Sequence, residues 1–174
     1  RQAEIARQKE AERQAEIARQ AELARQQAEQ ARQAKIVSKA EFLSQGYVDL
    51  GLPSATIWKT TNEKGYYRED VAKNTFGNRL PSKEQWEELE SMCTWIWIKD
   101  EGYRIIGTNG NFIFLPADGM LYYPNYNLQY RGRTGFYWTS EPSDSDETHF
   151  QFNFDSSFLT DNYGLSKLSV RLVQ

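Results

Sequence analysis

Few residues in this chain are able to do covalent or proton-transfer chemistry. It holds one cysteine, Cys93, and one histidine, His149. Cys93 stands in "MCTWIW", and apolar neighbours favour the neutral thiol and raise its pKa, so an inert, buried structural cysteine is expected. His149 opens a strand-like run beside an acidic loop, and no Gly-x-Ser-x-Gly elbow supplies a nucleophile for it to activate. It is expected to face solvent from its strand. One His and one Cys cannot make the usual three- or four-ligand zinc sites. Oxygen ligands for calcium gather in "EPSDSDE" (141–147), as Glu141, Asp144, Asp146 and Glu147, but the spacing lacks the sixth-position glycine of an EF-hand. A solvated acidic turn is expected there. "GTNGN" has neither the Lys nor the following helix of a phosphate-binding loop. A carboxylate pair for glycoside hydrolysis is a spatial feature, so a hydrolase stays open as an alternative.

Binding chemistry is better supplied. "LYYPNYNLQYRGR" (121–133) carries four of the ten tyrosines together with two asparagines, a glutamine and two arginines. Tyr and Trp offer rigid contact area at low entropy cost, and Ser and Asn add adaptable hydrogen bonds. The same mixture suits carbohydrate. Alternation predicts a half-buried strand with Tyr126, Leu128 and Tyr130 inward and Asn125, Asn127, Gln129 and Arg131 outward.

These residues must be positioned by a framework of two unlike parts. Residues 1–45 contain one aromatic, Phe42, whereas 46–174 contain the other 23, with all five Trp and all five Pro. The first part lacks material for a core and the second has enough for one domain. "AEIARQ" recurs at 3–8 and 15–20, followed by "AELARQ" at 21–26. Strong helix formers run without Gly or Pro as far as Gly46, so a helix of some forty residues is expected. Ile17, Ala24 and Ala31 repeat by seven, a thin seam. Either a coiled-coil stalk that pairs copies or a lone solvated helix fits this pattern.

Beyond Gly46, strands are read at 47–50 and 56–58, and a short helix at 67–77 closed by Gly77. A second helix spans 80–92, with Ser82 and Gln85 as a capping box and Trp86, Leu89 and Met92 on its buried face. Two strands flank Asn109-Gly110. "GFYWTS", "HFQFNF" with Phe150, Phe152 and Phe154 on one face, and "LSVRLV" are further strands. The result is an α+β domain of two helices and mostly antiparallel short strands.

"YVDLGLPSATIW", "FGNRLPSKEQWEELESMCTWIW", "GTNGNFIFLPADG", "GFYWTSEP" and "LSVRLV" resemble, in order, the blocks of the Fibrobacter succinogenes major paralogous domain family, abundant in Bacteroides-type gut bacteria. The resemblance covers about 47–174 and departs from the family pattern at Leu172, often proline there, and in the short segment between Trp58 and Leu80. It implies a C-type-lectin-like fold, shared with formylglycine-generating-enzyme domains and with the variable proteins of diversity-generating retroelements. The paired cysteines of formylglycine-generating relatives are missing. So is the calcium signature of lectins: Glu-Pro-Asn reads Glu141-Pro142-Ser143 here, and Trp-Asn-Asp does not occur. In such folds the C-terminal half meets the ligand. Carried over by position, this implies Tyr122, Tyr123, Asn125, Tyr126, Asn127, Gln129, Tyr130, Arg131 and Arg133 as contacts. It implies Trp138, Ser140 and Asp144 as well, and then Asp161, Asn162 and Tyr163. Trp138 reads equally as core.

The expectation is therefore a helical stalk (1–45) followed by a C-type-lectin-like domain (46–174), a non-catalytic binding or display module with no cofactor or metal. Its ligand would be a glycan or a protein, and residues 1–45 would pair it into a homo-oligomer. A structural scaffold module is the alternative from another class. Net charge is −3, and 46–174 holds twelve Lys/Arg against seventeen Asp/Glu, which disfavours nucleic acid. No apolar run is long enough to span a membrane. There is no signal-peptide pattern, but the chain starts inside a repeat without Met and so is read as a fragment. A bacterial surface or secreted location is favoured over a cytoplasmic one.

Overall fold

In the computed structural model, which describes residues 1–146, 148–160 and 164–174, the chain divides into two compact units, Arg1–Phe42 and Leu43–Gln174. The first is carried by helix α1 (Gln2–Ser44), 43 residues and thus about 65 Å long at 1.5 Å per residue. Glutamine amides donate one turn back to Glu carboxylates along it: Gln14 to Glu10, Gln20 to Glu16, Gln26 to Glu22 and Gln33 to Glu29. Such i, i+4 pairs stabilise a helix without any partner. Its apolar residues are exposed, Ile17 by 50% and Leu23 by 57%. At 100° per residue, Ile5 and Leu23 share one direction, but Ile17 and Ile36 lie about 120° and 140° away from it.

In the second unit Gly46, just past the end of α1, takes a left-handed conformation. Strands β1 (Tyr47–Asp49) and β2 (Ile57–Lys59) pair antiparallel. Helix α2 (Glu69–Phe76) ends at Gly77, whose φ of +52° and amide bond to the Lys73 carbonyl form the expected C-terminal stop. A 3₁₀ turn (Gly77–Arg79) leads to α3 (Lys83–Met92), where the Ser82–Gln85 capping box is complete. Trp86 and Leu89 are buried, but Met92 is 42% exposed, contrary to expectation. Two steps of three residues carry Met92 about 120° around the helix from Trp86.

Strands β3 (Thr94–Ile98), β4 (Gly102–Ile106) and β5 (Phe112–Pro116) form one antiparallel sheet. The β4–β5 hairpin lies where Asn109-Gly110 predicts it, with a five-residue connection rather than a two-residue turn. The Asn109 and Asn111 side-chain amides both donate to the Asp49 carbonyl, at 2.9 and 2.8 Å, and hold the loop open against β1. Strands β6 (Met120–Tyr122) and β7 (Asn127–Gln129) form a ribbon. Strands β8 (Gly135–Trp138), β9 (His149–Phe152) and β10 (Ser157–Thr160) form a sheet with β9 central.

"LSVRLV" is not a strand within a ladder. Instead the C-terminal segment makes single bridges to several elements: Lys167 to Leu121, Leu168 to Tyr67, Ser169 to Tyr137 and Val173 to Trp58. Its side chains nevertheless enter the interior, with Leu168, Val170 and Arg171 fully buried. The core is aromatic. Trp86 stacks on Phe150 at 4.2 Å and meets Trp58 at 4.9 Å and Tyr137 at 5.8 Å.

Arg171 is the charged residue of this interior. Its guanidinium donates to Asn62 Oδ1 (2.9 Å), the Lys59 carbonyl (2.6 Å) and the Phe114 carbonyl (2.6 Å). Asn62 in turn donates to the Tyr137 hydroxyl and to Asp118, and Tyr137 donates to the Pro116 carbonyl. Burial pushes the Tyr137 phenol up, which keeps it a neutral donor, and the same burial pulls the Arg171 pKa down against the opposing pull of Tyr137 and Asp118. A buried cation held this way ties β2, β5 and the C-terminal segment together.

Candidate functional site

His149 and Cys93 both differ from expectation in their exposure. His149 is fully buried, not solvent-facing, because its face of β9 is covered by the protein interior rather than by water. Its ring sits between Phe136 and Trp138, at 6.3 and 6.1 Å. Cys93 is half-buried rather than buried. Burial, reinforced by the Glu88 carboxylate, pushes its thiol up to about 11, so it is protonated at neutral pH. Among the described residues no three His, Cys, Asp or Glu side chains gather to hold a metal. Of the acidic turn, the Glu141 carboxylate accepts the Lys83 amide at the start of α3, while Asp144 and Asp146 are exposed and Glu147 lies outside the described residues.

The tyrosine-rich stretch departs from the strand reading. Tyr126 and Tyr130 have φ of +53° and +62°, which no strand residue adopts, and they confine β7 to three residues. Tyr122 opposes Asn127, Leu121 opposes Leu128 and Met120 opposes Gln129. Gln129 therefore shares a face with buried Met120, and Leu128 is 43% exposed. Leu128 and Tyr130, expected inward, are thus exposed and Gln129, expected outward, is half-buried, while Asn127 and Arg131 face outward as expected.

Around the ribbon, Tyr122 and Tyr123 are exposed, as are Asn125 and Asn127. Tyr126 is half-buried under the Lys167 ammonium, 4.4 Å from its ring centre. Arg131 is exposed, and its charge is felt by the Tyr66 hydroxyl, whose pKa burial and Asp118 raise. Trp138 takes the core alternative: it is fully buried and its indole N–H donates to the Tyr67 carbonyl at 2.6 Å, so it is no surface contact. Asp161, Asn162 and Tyr163 lie outside the described residues.

Two clefts include expected residues. One, of about 760 Å³, is lined by Ser140 with Lys73, Ser82, Gln85, Glu141 and Ser143 among others. Several of its polar groups are already engaged. Lys73 pairs with Glu69 at 2.7 Å and reaches Ser143 at 3.2 Å. Ser82 and Gln85 are spent on the capping box, and Glu141 on Lys83.

The other cleft, of about 640 Å³, is different in kind. It brings Tyr130 and Arg133 together with Trp97, Lys99, Asp100, Asn153 and Phe154. Three connections build it: the β3–β4 turn, the β7–β8 loop and the β9–β10 turn. The loops fit closely, since a Cβ on Gly132 would lie 3.1 Å from the Asp100 carbonyl oxygen. Both Asp100 and Tyr130 hold left-handed backbone, at φ of +61° and +62°. For a residue as bulky as tyrosine that conformation is strained. Phe154 is 64% exposed, not inward with Phe150 and Phe152. The Asn153 side-chain oxygen accepts the Asp155 and Ser156 amides, and this turn swings Phe154 out. Among the described residues, Lys99, Asp100 and Arg133 form no side-chain hydrogen bond or ion pair.

Sequence reasoning reached Tyr130 and Arg133 but missed Trp97, Lys99, Asp100, Asn153 and Phe154. Only the Asn153-x-Asp155-Ser156 turn signal could have turned Phe154 outward in advance. No family model matches the chain, and no curated protein or solved structure matches it.

Proposed function

We propose that the unit Leu43–Gln174 is a non-catalytic ligand-binding or display domain, of C-type-lectin-like fold and related to the Fibrobacter succinogenes major paralogous domain family. The order of elements, a strand pair, two helices and then small antiparallel sheets, supports the fold reading. The observation that carries the functional reading is the cleft of Trp97, Tyr130 and Phe154, whose charged neighbours Lys99, Asp100 and Arg133 have no side-chain partners among the described residues. Exposed aromatic rings gathered in one cleft are apolar surface that a bound molecule can cover, and the solvated charges beside them are available to pair with it. Its volume falls in the range of about 300–1,000 Å³ usual for small-ligand sites. Asp100 is the one carboxylate among the cleft's described lining residues, and hydrolysis of a glycosidic bond by a carboxylate pair needs two.

For α1 we favour the lone-helix spacer over the coiled coil. Its Glu–Gln pairs stabilise it from within, and its few aliphatic side chains do not share a stripe.

Glycan and protein arrays probed with the wild-type chain and with Tyr130→Ala and Phe154→Ala test the binding reading. Both side chains are exposed, so their loss leaves the core intact. Expected is a set of ligands whose signal both variants lose; undiminished signal in both variants would remove this cleft as the site.

A further inference from the structure

Resting on the reading of this cleft as a ligand site, the geometry points to a carboxylate-bearing saccharide as its ligand class, with a sugar ring against Trp97, Tyr130 or Phe154 and its carboxylate between Lys99 and Arg133. Two observations select a sugar over a peptide. A peptide that adds as a strand works through free backbone groups of a sheet edge, and here four of the surrounding amides are spent. Gly132 N–H donates to the Ala117 carbonyl, Arg133 and Thr134 N–H both donate to the Tyr130 carbonyl, and Asn153 N–H donates to the Ser156 carbonyl. What faces the cleft is side-chain chemistry: aromatic rings, an amide and charges. The electron-rich faces of aromatic rings attract the C–H bonds of a pyranose, which carry slight positive charge. Side-chain donors and acceptors then read its hydroxyls.

Charge selects an acidic sugar over a neutral one. Two cations, Lys99 and Arg133, stand against one anion, Asp100, and none has a partner among the described residues. A guanidinium presents two parallel N–H groups that match both oxygens of a carboxylate, and the ammonium adds a point charge. Asp100 is left to accept from the sugar hydroxyls.

The full chain, labelled with ¹⁵N, is titrated to millimolar levels with glucuronate, methyl glucoside, acetate and triglutamate, while the Trp97 indole N–H signal, assigned with Trp97→Phe, is followed. Glucuronate is expected to shift that signal saturably, and methyl glucoside to bind about tenfold or more weakly. Arg133→Gln and Lys99→Gln, both at exposed positions, are expected to erase the difference and its salt dependence. Equal binding of glucuronate and methyl glucoside overturns the anionic preference, and equal effects of acetate or triglutamate overturn the sugar. If none of the four moves Trp97 while an array ligand still depends on Tyr130 and Phe154, this inference falls and the binding reading stands. If array binding is also indifferent to those residues, both fall.

Discussion

The Tyr103 hydroxyl donates to the Phe154 carbonyl oxygen at 3.1 Å, and equally to that of Asn153. A residue of the central β4 strand thereby pins the turn that presents Phe154 to the cleft. Tyr103→Phe keeps the ring, which meets Trp95, Trp97 and Phe152 edge-on, and deletes only the tether. It is expected to lower stability by about 0.5–1.5 kcal/mol in urea unfolding and to weaken cleft binding. Unchanged binding would show that the turn holds its shape without the tyrosine.

Arg171→Met tests the buried cation. The substitution fits the space but strands Asn62 Oδ1 and the Lys59 and Phe114 carbonyls. A loss of about 3–5 kcal/mol, measured as a lower guanidinium chloride midpoint, is expected, since each stranded buried acceptor costs about 1–3 kcal/mol. Arg171→Lys should fall between, since an ammonium on a shorter stem does not reach three acceptors set apart like these. A shift of less than about 1 kcal/mol for the Met variant would make the network incidental.

For Cys93 the prediction concerns pH. Its thiol lies at about 11 in the folded chain against 9.0 for an ordinary cysteine. Alkylation by iodoacetamide in native protein should therefore stay slow through pH 9 and climb toward pH 11, while urea-unfolded protein reacts fully near pH 9. The sign for stability follows. The folded state holds its proton where the unfolded state has lost it, so this contribution is intact below pH 9 and fades as pH rises through 11. A native alkylation midpoint near 9 would contradict the burial.

Sedimentation equilibrium decides the role of α1. The full chain and a chain lacking residues 1–45 are both expected to be monomeric, with helicity of the full chain independent of concentration. Dimers that vanish on removal of residues 1–45 would restore the coiled coil.

The parts of the fold readable from sequence are those set by local chemistry. The Ser82–Gln85 box and the Gly77 stop each depend on residues within one turn, and the long helix on uninterrupted propensity. Reading failed where tertiary contacts overrode alternation. "YNLQYR" alternates like a strand, but left-handed Tyr126 and Tyr130 bracket it and leave Leu128 and Tyr130 exposed. His149 looked polar enough for the surface, yet its ring is fully buried near Phe136 and Trp138. Arg171 gave no warning of burial, because its three acceptors come from β2, the following loop and β5. The cleft was least legible of all. Residues 97–100, 130–134 and 153–154 meet only once three sheets are placed, and no spacing along the chain encodes that meeting.

The C-terminal segment has a consequence for how the protein is made. Residues 167–174 bridge β2, β6, β8 and the strand-like stretch at Tyr67, and they supply Arg171 to the interior. A ribosome therefore releases nearly the whole domain before its centre can close. The α1 helix needs no distant residue and can form as it emerges. Between the two events the aromatic core stands open, the condition in which nascent chains draw on chaperones.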